Sequence, residues 1–338
     1  MSYPLIKVDL NKIEHNARTL VSACAELNIE VVGVVKACLG SIEVAEAMME
    51  AGVGLIGDSR LQNLEKLKVL DVPLMMLRQP MFWEISQVVD ITDICLVSEL
   101  ETIRRISDEA EKVQKKYKVV VMVETGDLRE GVLPENLLEF MKEAVLFPWI
   151  KLVGIGSNVA CLQGISPTPA MLNLLVESAN QLRQELNTEL PVVSGGNSSA
   201  WKLIESKSVP RGINQLRLGE AILLGQETIN FKPIPGTYQD AFIIEAEIIE
   251  VKEKPVPNGG NKRKRAILAI GIQDICRGEL KPLDPQIEVL RRSSDHLVVD
   301  ITDSRQNYKV GDHLIFIPSY EAMLTAMTSP FIEKAFLP

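Results

Sequence analysis

The chain has no uninterrupted apolar run of about 20 residues, the length a helix needs to cross a bilayer. Neither a low-complexity tract nor an internal repeat stands out among its 338 residues. Cysteine is sparse and scattered: Cys24, Cys38, Cys95, Cys161 and Cys276 are odd in number and include no Cys-x-x-Cys pair. They offer neither a disulfide frame nor a zinc knuckle, and they suit a reducing cytoplasm. A basic excess is missing as well. The net charge is −9, and a nucleic-acid partner would need a concentrated basic surface for its phosphates. The one basic run, Lys262-Arg263-Lys264-Arg265, follows Pro255, Pro257, Asn258, Gly259 and Gly260 and reads as a solvated hairpin tip. The first residues lack a basic region followed by an apolar one, so no signal peptide is expected.

What is present is an ordered alternation. Short β-branched runs are expected as strands at Val31–Val35, Val53–Gly57, Pro73–Leu77, Asp93–Val97, Lys118–Val123, Ile150–Ile155, Leu190–Ser194 and Gln215–Leu218. Amphipathic stretches at helical spacing lie between most of them, for example Ser41–Ala51, Arg60–Leu70, Glu99–Lys115, Pro134–Leu146 and Thr168–Leu186. Eight such units predict a parallel sheet closed as a (β/α)8 TIM barrel, with an open doubly wound sheet as the alternative. After Gly225 the pattern turns strand-like at Ala241–Val251, Arg265–Ile270, Ile287–Arg291, His296–Ile301 and His313–Ile317, as in an antiparallel β domain. The expected division is a barrel over 1–230 and a C-terminal β domain over 231–338, with residues 1–10 free to join the β domain.

A barrel of this kind builds its active site at the C-terminal ends of its strands. Lys36 ends the first. Glu124-Thr125-Gly126-Asp127-Leu128-Arg129 follows the fifth, Ser157-Asn158 the sixth and Ser194-Gly195-Gly196-Asn197-Ser198-Ser199-Ala200 the seventh. Arg217 lies on the eighth, before Leu218-Gly219-Glu220. A strand-end lysine in a partly desolvated pocket near other cations is suited to act as an amine nucleophile in a Schiff base. The Gly/Ser loop offers N–H groups and hydroxyls to an anion. An amine anchor with a phosphate cradle suits pyridoxal 5′-phosphate. The plainer alternatives are a snorkelling surface lysine and a simple turn.

Val34-Val35-Lys36-Ala37 resembles the lysine motif of the alanine racemases and other fold-type III pyridoxal-phosphate enzymes, and the resemblance extends over nearly the whole chain. It implies that Lys36 is both Schiff-base residue and base. Asn197-Ser198-Ser199-Ala200 is similar to the family's phosphate loop, implying Ser198 as phosphate ligand. Arg217-Leu218-Gly219-Glu220 with Gly225 resembles the segment whose arginine faces the pyridine nitrogen. Tyr320-Glu321 resembles the late pair whose phenol binds the phosphate, and Thr125-Gly126…Arg129 the segment whose arginine orients the lysine region. Asn158, Ser194, Asn197, the Gly219 amide and Glu220 are placed beside the cofactor. Glu220 is not assigned to the ring, because alternate strand residues face opposite ways. Asp58-Ser59-Arg60-Leu61-x-Asn63, with the Ser-Gly-Gly-Asn-Ser loop, resembles most the ornithine/broad-specificity amino-acid racemase branch.

The departures bear on chemistry. Ile272 of Gly271-Ile272-Gln273-Asp274 stands where alanine racemases carry their second base, a tyrosine, and isoleucine can move no proton. Asp274 and Cys276 are the first candidates for that role, with Asp295 and His296 behind them. A turn-capping aspartate and an inert cysteine are the competing readings. Asn158 and Gly40 replace larger residues and remove bulk from the pocket. Ser293-Ser294-Asp295-His296 resembles the segment that closes the substrate site, where Asp295, with Ser294, would receive a terminal ammonium. The expected enzyme is an isomerase, a racemase of ornithine or another basic amino acid, with alanine or broad specificity as the wider possibility. It is expected to bind no metal and to form a head-to-tail homodimer in which Asp274 to Asp295 serve the neighbour's site. The rivals are a D-threonine aldolase/D-serine dehydratase-like lyase, with a metal at His296 and Asp274 or Cys276, and a non-catalytic pyridoxal-phosphate carrier, whose relatives lack the β domain.

Overall fold

Strands that are apolar on both faces pair in parallel and bury themselves between side chains of the interior and surrounding helices. That is the state of the first two-thirds of the chain. The structure is a computed structural model describing residues 3–162, 164–255 and 262–338. Strand β1 (Leu5–Asp9) comes first. The parallel strands follow as β2 (Glu30–Val34), β3 (Leu55–Asp58), β4 (Leu74–Met76), β5 (Ile94–Val97), β6 (Tyr117–Met122), β7 (Ile150–Gly156), β8 (Val192–Asn197) and β9 (Gln215–Leu218). They close into an eight-stranded barrel, β9 pairing back onto β2 through Gly33 and Leu218. The expected barrel is the observed one. Val32, Met75, Ile94, Leu96, Val120, Met122 and Val153 pack together as a buried cluster, so the barrel interior is a filled core.

The intervening helices obey their local sequences. Ser41 caps the helix Ile42–Glu50 by accepting from Val44 N at 3.2 Å. Thr168 caps Pro169–Leu186, with Pro169 in the first turn where its missing N–H costs nothing. Ile103, Ile106 and Ala110 form the buried stripe of the helix Leu100–Lys112.

A second sheet comes from the C-terminal region: β10 (Phe242–Lys254), β11 (Arg263–Leu268), β12 (Leu280–Pro282), β13 (Glu288–Arg292), β14 (Leu297–Asp300), β15 (His313–Pro318) and β16 (Glu333–Leu337). Its order is β12-β15-β10-β11-β14-β13, and β1 joins it, antiparallel to β10 and parallel to β16. The chain divides into two compact units: Met1–Ile13 with Ala37–Leu39 and Tyr238–Pro338, and Glu14–Lys36 with Gly40–Thr237. Among the described residues no helix is long and apolar enough to cross a membrane.

The basic run corrects one expectation. Residues 256–261 lie outside the described residues, but Arg263, Lys264 and Arg265 belong to β11 rather than to a tip. Arg263 pairs with Asp300 at 2.7 Å and with Asp303 at 2.8 Å. Acids on and just after the neighbouring strand β14 hold this charge within the sheet.

Candidate active site

β2 ends at Val34, and Lys36 opens the short 3-10 turn that follows. The Gly40 N–H donates to the Val35 carbonyl at 3.2 Å and closes that turn. Lys36 is exposed, where partial desolvation was expected. It lies past the last ladder residue of β2, beyond the cover of the sheet.

Two acids flank it. β2 lies between β3 and β9. β3 ends in Asp58, and Glu220 stands two residues beyond the end of β9. Asp58 is fully buried and accepts from Arg60 N at 2.8 Å and Asn63 Nδ2 at 3.1 Å. Burial pushes its carboxyl up to about 6, against the pull of those hydrogen bonds and of the Lys36 charge. Glu220 is half-buried and accepts from Gln226 Nε2 at 3.4 Å. Burial pushes it up to about 7, again opposed by its hydrogen bond and by Lys36. Sequence reasoning noted Asp58 in a motif without giving it any chemistry. The signal was there: an acid as the last residue of the strand beside the one that leads to Lys36.

The Gly/Ser loop is shaped by a bulge. Ser194 pairs with Gln215 and Asn197 with Arg217, so β8 carries one more residue than β9 over this stretch. Gly196 takes up the difference with φ +120 and borders open space. Asn197 then caps the turn Ser198–Ala200 by accepting from Ser199 N at 2.7 Å. Its amide donates to Asn158 Oδ1 at 2.8 Å, the Val159 carbonyl at 3.1 Å and Cys161 Sγ at 3.3 Å. Asn197 thus orients the loop and presents Ser198. The N–H groups of Gly219 and Ala221 converge on Ser198 Oγ at 3.3 and 3.2 Å.

Arg217 is buried at 5% exposure, and among the described residues no carboxylate pairs with it. Its Nη1 donates to Ser194 Oγ and its Nη2 to the Ser157 carbonyl, both at 2.5 Å. Burial lowers its pKa to about 10, so it remains a cation at neutral pH. Two buried hydroxyls nearby in sequence to these loops, Ser157 Oγ and Thr125 Oγ1, have no hydrogen-bond partner among the described residues. Asn158 also donates to Asp127 Oδ2 at 3.3 Å. Arg129 is exposed and forms an ion pair with its neighbour Glu130.

Gly40 modifies the reading of a pocket emptied of bulk. It has φ +61, and a Cβ there would lie 2.6 Å from Asn63 Cβ. Its smallness lets the loop after β2 pack onto Asn63.

The remaining candidates lie in the C-terminal unit. Asp274 is buried, and its Oδ2 accepts from Gly271 N at 2.8 Å, capping the short helix Ile272–Ile275. Its carboxyl is raised by burial, and further by Asp295, against that hydrogen bond. Cys276 ends the same helix, exposed and at φ +50. This turn packs on the segment 293–296: Ile272 N donates to the Ser293 carbonyl at 2.9 Å and Gln273 N to that of Ser294 at 3.1 Å. Gln273 also donates to exposed Asp295. Tyr320 is the first residue of the helix Tyr320–Thr328, with Ser319 as its cap. Among the described residues no group of three or more His, Cys, Asp or Glu side chains is placed to hold a metal ion.

An amine thus stands past the end of one strand, a guanidinium with no carboxylate partner among the described residues lies on the adjacent strand, and two N–H groups converge on a serine hydroxyl. Comparison with known proteins agrees with this geometry. The family model for the alanine racemase N-terminal domain matches residues 8–226. The chain belongs to the alanine racemase family. An ornithine racemase from Acetoanaerobium sticklandii is 42% identical over 352 residues, covering 99% of this chain and all of that protein. A lysine racemase from Thermotoga maritima is 40% identical, covering 100% of this chain and 99% of the other. Within the family fold, an alanine racemase structure from Bartonella henselae, solved with covalently bound pyridoxal phosphate, superposes with TM-score 0.77 at 18% identity over the full length of both chains. A D-threonine aldolase from Filomicrobium marinum superposes with TM-score 0.81 at 15% identity, covering 97% of this chain and 90% of that one. These last two likenesses concern the fold.

Proposed function

We propose that this protein is a pyridoxal 5′-phosphate-dependent racemase acting on a basic amino acid, ornithine or lysine. One observation carries the reading: identity of 40% or more, end to end, to two racemases whose named substrates both bear a second amine. The residues fit the cofactor. Ser198 Oγ with the Gly219 and Ala221 amides would hold its phosphate. Arg217, fixed by Ser194 and Ser157, would donate to its ring nitrogen, and Lys36 would anchor its aldehyde. Asn158, Asn197 and Arg129 shape the surrounding loops, and Glu220, its carboxyl raised by burial, stands just past the strand beside the one that leads to the lysine.

Bound there, pyridoxal 5′-phosphate withdraws electrons from the substrate and acidifies its Cα–H bond. Lys36 takes or returns the proton on one face of Cα. Arg217 is a permanent cation that gives no proton to the ring nitrogen, which limits electron withdrawal and favours prompt return of the proton to Cα. The opposite face needs a second acid or base. Cys276 is favoured over Asp274, because its thiol is exposed while the Asp274 carboxylate is engaged as a cap. In this reading Cys276 reaches the site of a second copy in a head-to-tail homodimer, and Asp295, beside Ser294, meets the substrate's terminal ammonium. The five scattered cysteines, with no Cys-x-x-Cys pair, support a reducing cytoplasm as the setting of the enzyme.

The test is a chiral assay of the purified protein with added cofactor over L- and D-ornithine, lysine and alanine. Turnover of ornithine or lysine above alanine is expected. Equal turnover of alanine with none of ornithine or lysine overturns the substrate assignment. Turnover that survives Lys36→Ala overturns the mechanism.

A further inference from the structure

The turn that presents Ser198 is held by Asn197, and Asn197 is itself held by a short segment of the loop after β7. Residues 158–162 accept from its amide at three points: Asn158 Oδ1 at 2.8 Å, the Val159 carbonyl at 3.1 Å and Cys161 Sγ at 3.3 Å. The Val159 carbonyl also accepts from Ser199 Oγ at 3.1 Å. The phosphate loop therefore rests on this segment. The segment belongs to no helix or strand, and Ala160 within it adopts φ +71. A residue with a Cβ keeps that left-handed backbone only where its surroundings enforce it.

The enforcing group lies on the other side. Asp127, in the loop after β6, is 2% exposed, while its neighbours Leu128 and Arg129 are open to solvent. A carboxylate has only acceptor oxygens, and burying it is costly unless donors meet them. The segment supplies two such donors: Leu162 N to Oδ1 at 2.9 Å and Asn158 Nδ2 to Oδ2 at 3.3 Å. Both ends of the segment are thus tied to one carboxylate, while Asn158, Val159 and Cys161 receive Asn197. The Asn158 side chain carries the order across with one polarity. Its Nδ2 points at the carboxylate, which leaves Oδ1 for the Asn197 amide. Asn197 Oδ1 then accepts from Ser199 N at 2.7 Å and caps the turn of Ser198.

We propose that Asp127 is the positioning residue of the phosphate loop: its carboxylate gathers the segment 158–162 into the shape that holds Asn197, and so presets the cup of Ser198, Gly219 and Ala221. In this role Asp127 contacts neither cofactor nor substrate; it acts through Asn158 and Leu162. A loop ordered in advance loses less conformational freedom on binding, so the gain appears as affinity for the phosphate. The inference deepens the racemase reading and rests on it only for the phosphate-bearing cofactor that the loop receives.

Two measurements on the full-length protein test it, with Asp127→Ala as the variant. The first is hydrogen exchange of the cofactor-free chain, read by mass spectrometry on peptides covering 158–162 and 197–200. Ser199 N–H, which no bond links to Asp127 directly, should exchange about threefold faster or more, because the cap that protects it loosens. The second compares the dissociation constants of pyridoxal 5′-phosphate and of pyridoxal, which lacks the phosphate. Affinity for the phosphate ester should fall about 5- to 20-fold, with that for pyridoxal unchanged. Equal losses for both compounds would make Asp127 a general fold residue and overturn the proposal, and so would an unaltered Ser199 exchange. If Asp127→Ala does not fold, Asp127→Asn takes its place. Its amide can accept from only one of the two donors, so the same changes are expected at smaller size, and their absence overturns the proposal. Neither measurement needs turnover. A wild type that binds the cofactor but racemises nothing removes the functional reading alone, and a racemising wild type with an unresponsive Asp127 variant removes this inference alone.

Discussion

Arg217 Nη1 donates to Ser194 Oγ at 2.5 Å, and this bond ties the one buried, carboxylate-free guanidinium among the described residues to the strand that leads into the phosphate loop. The loop and the proposed ring-nitrogen donor are therefore positioned together. Replacing the donor by an acid inverts its chemistry. Arg217→Glu should lower racemisation by about 100-fold, roughly 2.7 kcal/mol of transition-state stabilisation, and release keto acid as a side product. Chiral chromatography with a keto-acid assay reads both, and an unaltered rate without keto acid would refute the assignment.

Ser198 closes the N–H cup. In Ser198→Ala the Gly219 and Ala221 amides lose their acceptor, and a bound phosphate loses one donor. Cofactor affinity should weaken about 5- to 20-fold, the equivalent of roughly 1–2 kcal/mol. Equilibrium dialysis of the cofactor measures it; unchanged affinity would remove Ser198 from the phosphate site.

Gly40 combines φ +61 with close approach to Asn63. Gly40→Ala meets both a left-handed backbone penalty and a collision, and should cost about 2 kcal/mol or more of stability. Chemical denaturation followed by far-UV dichroism should show a lower midpoint. A midpoint equal to that of wild type would mean that the loop after β2 relaxes freely.

Glu220 gives a pH dependence of definite sign. Its carboxyl is raised in the folded chain to about 7 from 4.5, with burial the main cause. The folded state thus prefers the neutral acid. The contribution of this group to stability is fully present below pH 4.5 and is lost as pH rises through about 7. Glu220→Gln, neutral throughout, should be more stable than wild type at pH 8, with the difference shrinking to nothing near pH 4.5. Urea midpoints at several pH values check this; a constant difference across the range would contradict the shift.

Much of this protein was legible before any coordinates. β9 is observed at Gln215–Leu218, as the apolar run predicts, and Thr168 and Ser41 stand at helix starts where side-chain caps are expected. Other elements left weaker traces. β16, Glu333–Leu337, is formed by a mixed polar and apolar pentapeptide that becomes a strand through its parallel pairing with β1, more than 320 residues away in sequence. β12 is three residues long, and the helix that Tyr320 opens is short. Such segments are stabilised by what they pack on, which local periodicity does not record.

The sequence by itself determined the strand–helix alternation and the order of the motifs, and it singled out the amine, the serine and the arginine of the proposed site. These follow from residue type and from spacing along one chain, where hydrophobic periodicity and chemical function are local properties. The tertiary structure alone decided that Lys36 stands exposed between Asp58 and Glu220, that a bulge in β8 turns Ser198 toward the Gly219 and Ala221 amides, and that Asp274 is engaged as a cap. The reason is physical. Burial, electrostatic fields and hydrogen-bond partners depend on which strands lie side by side, and closure of the barrel brings β9 against β2 across nearly 200 residues of chain.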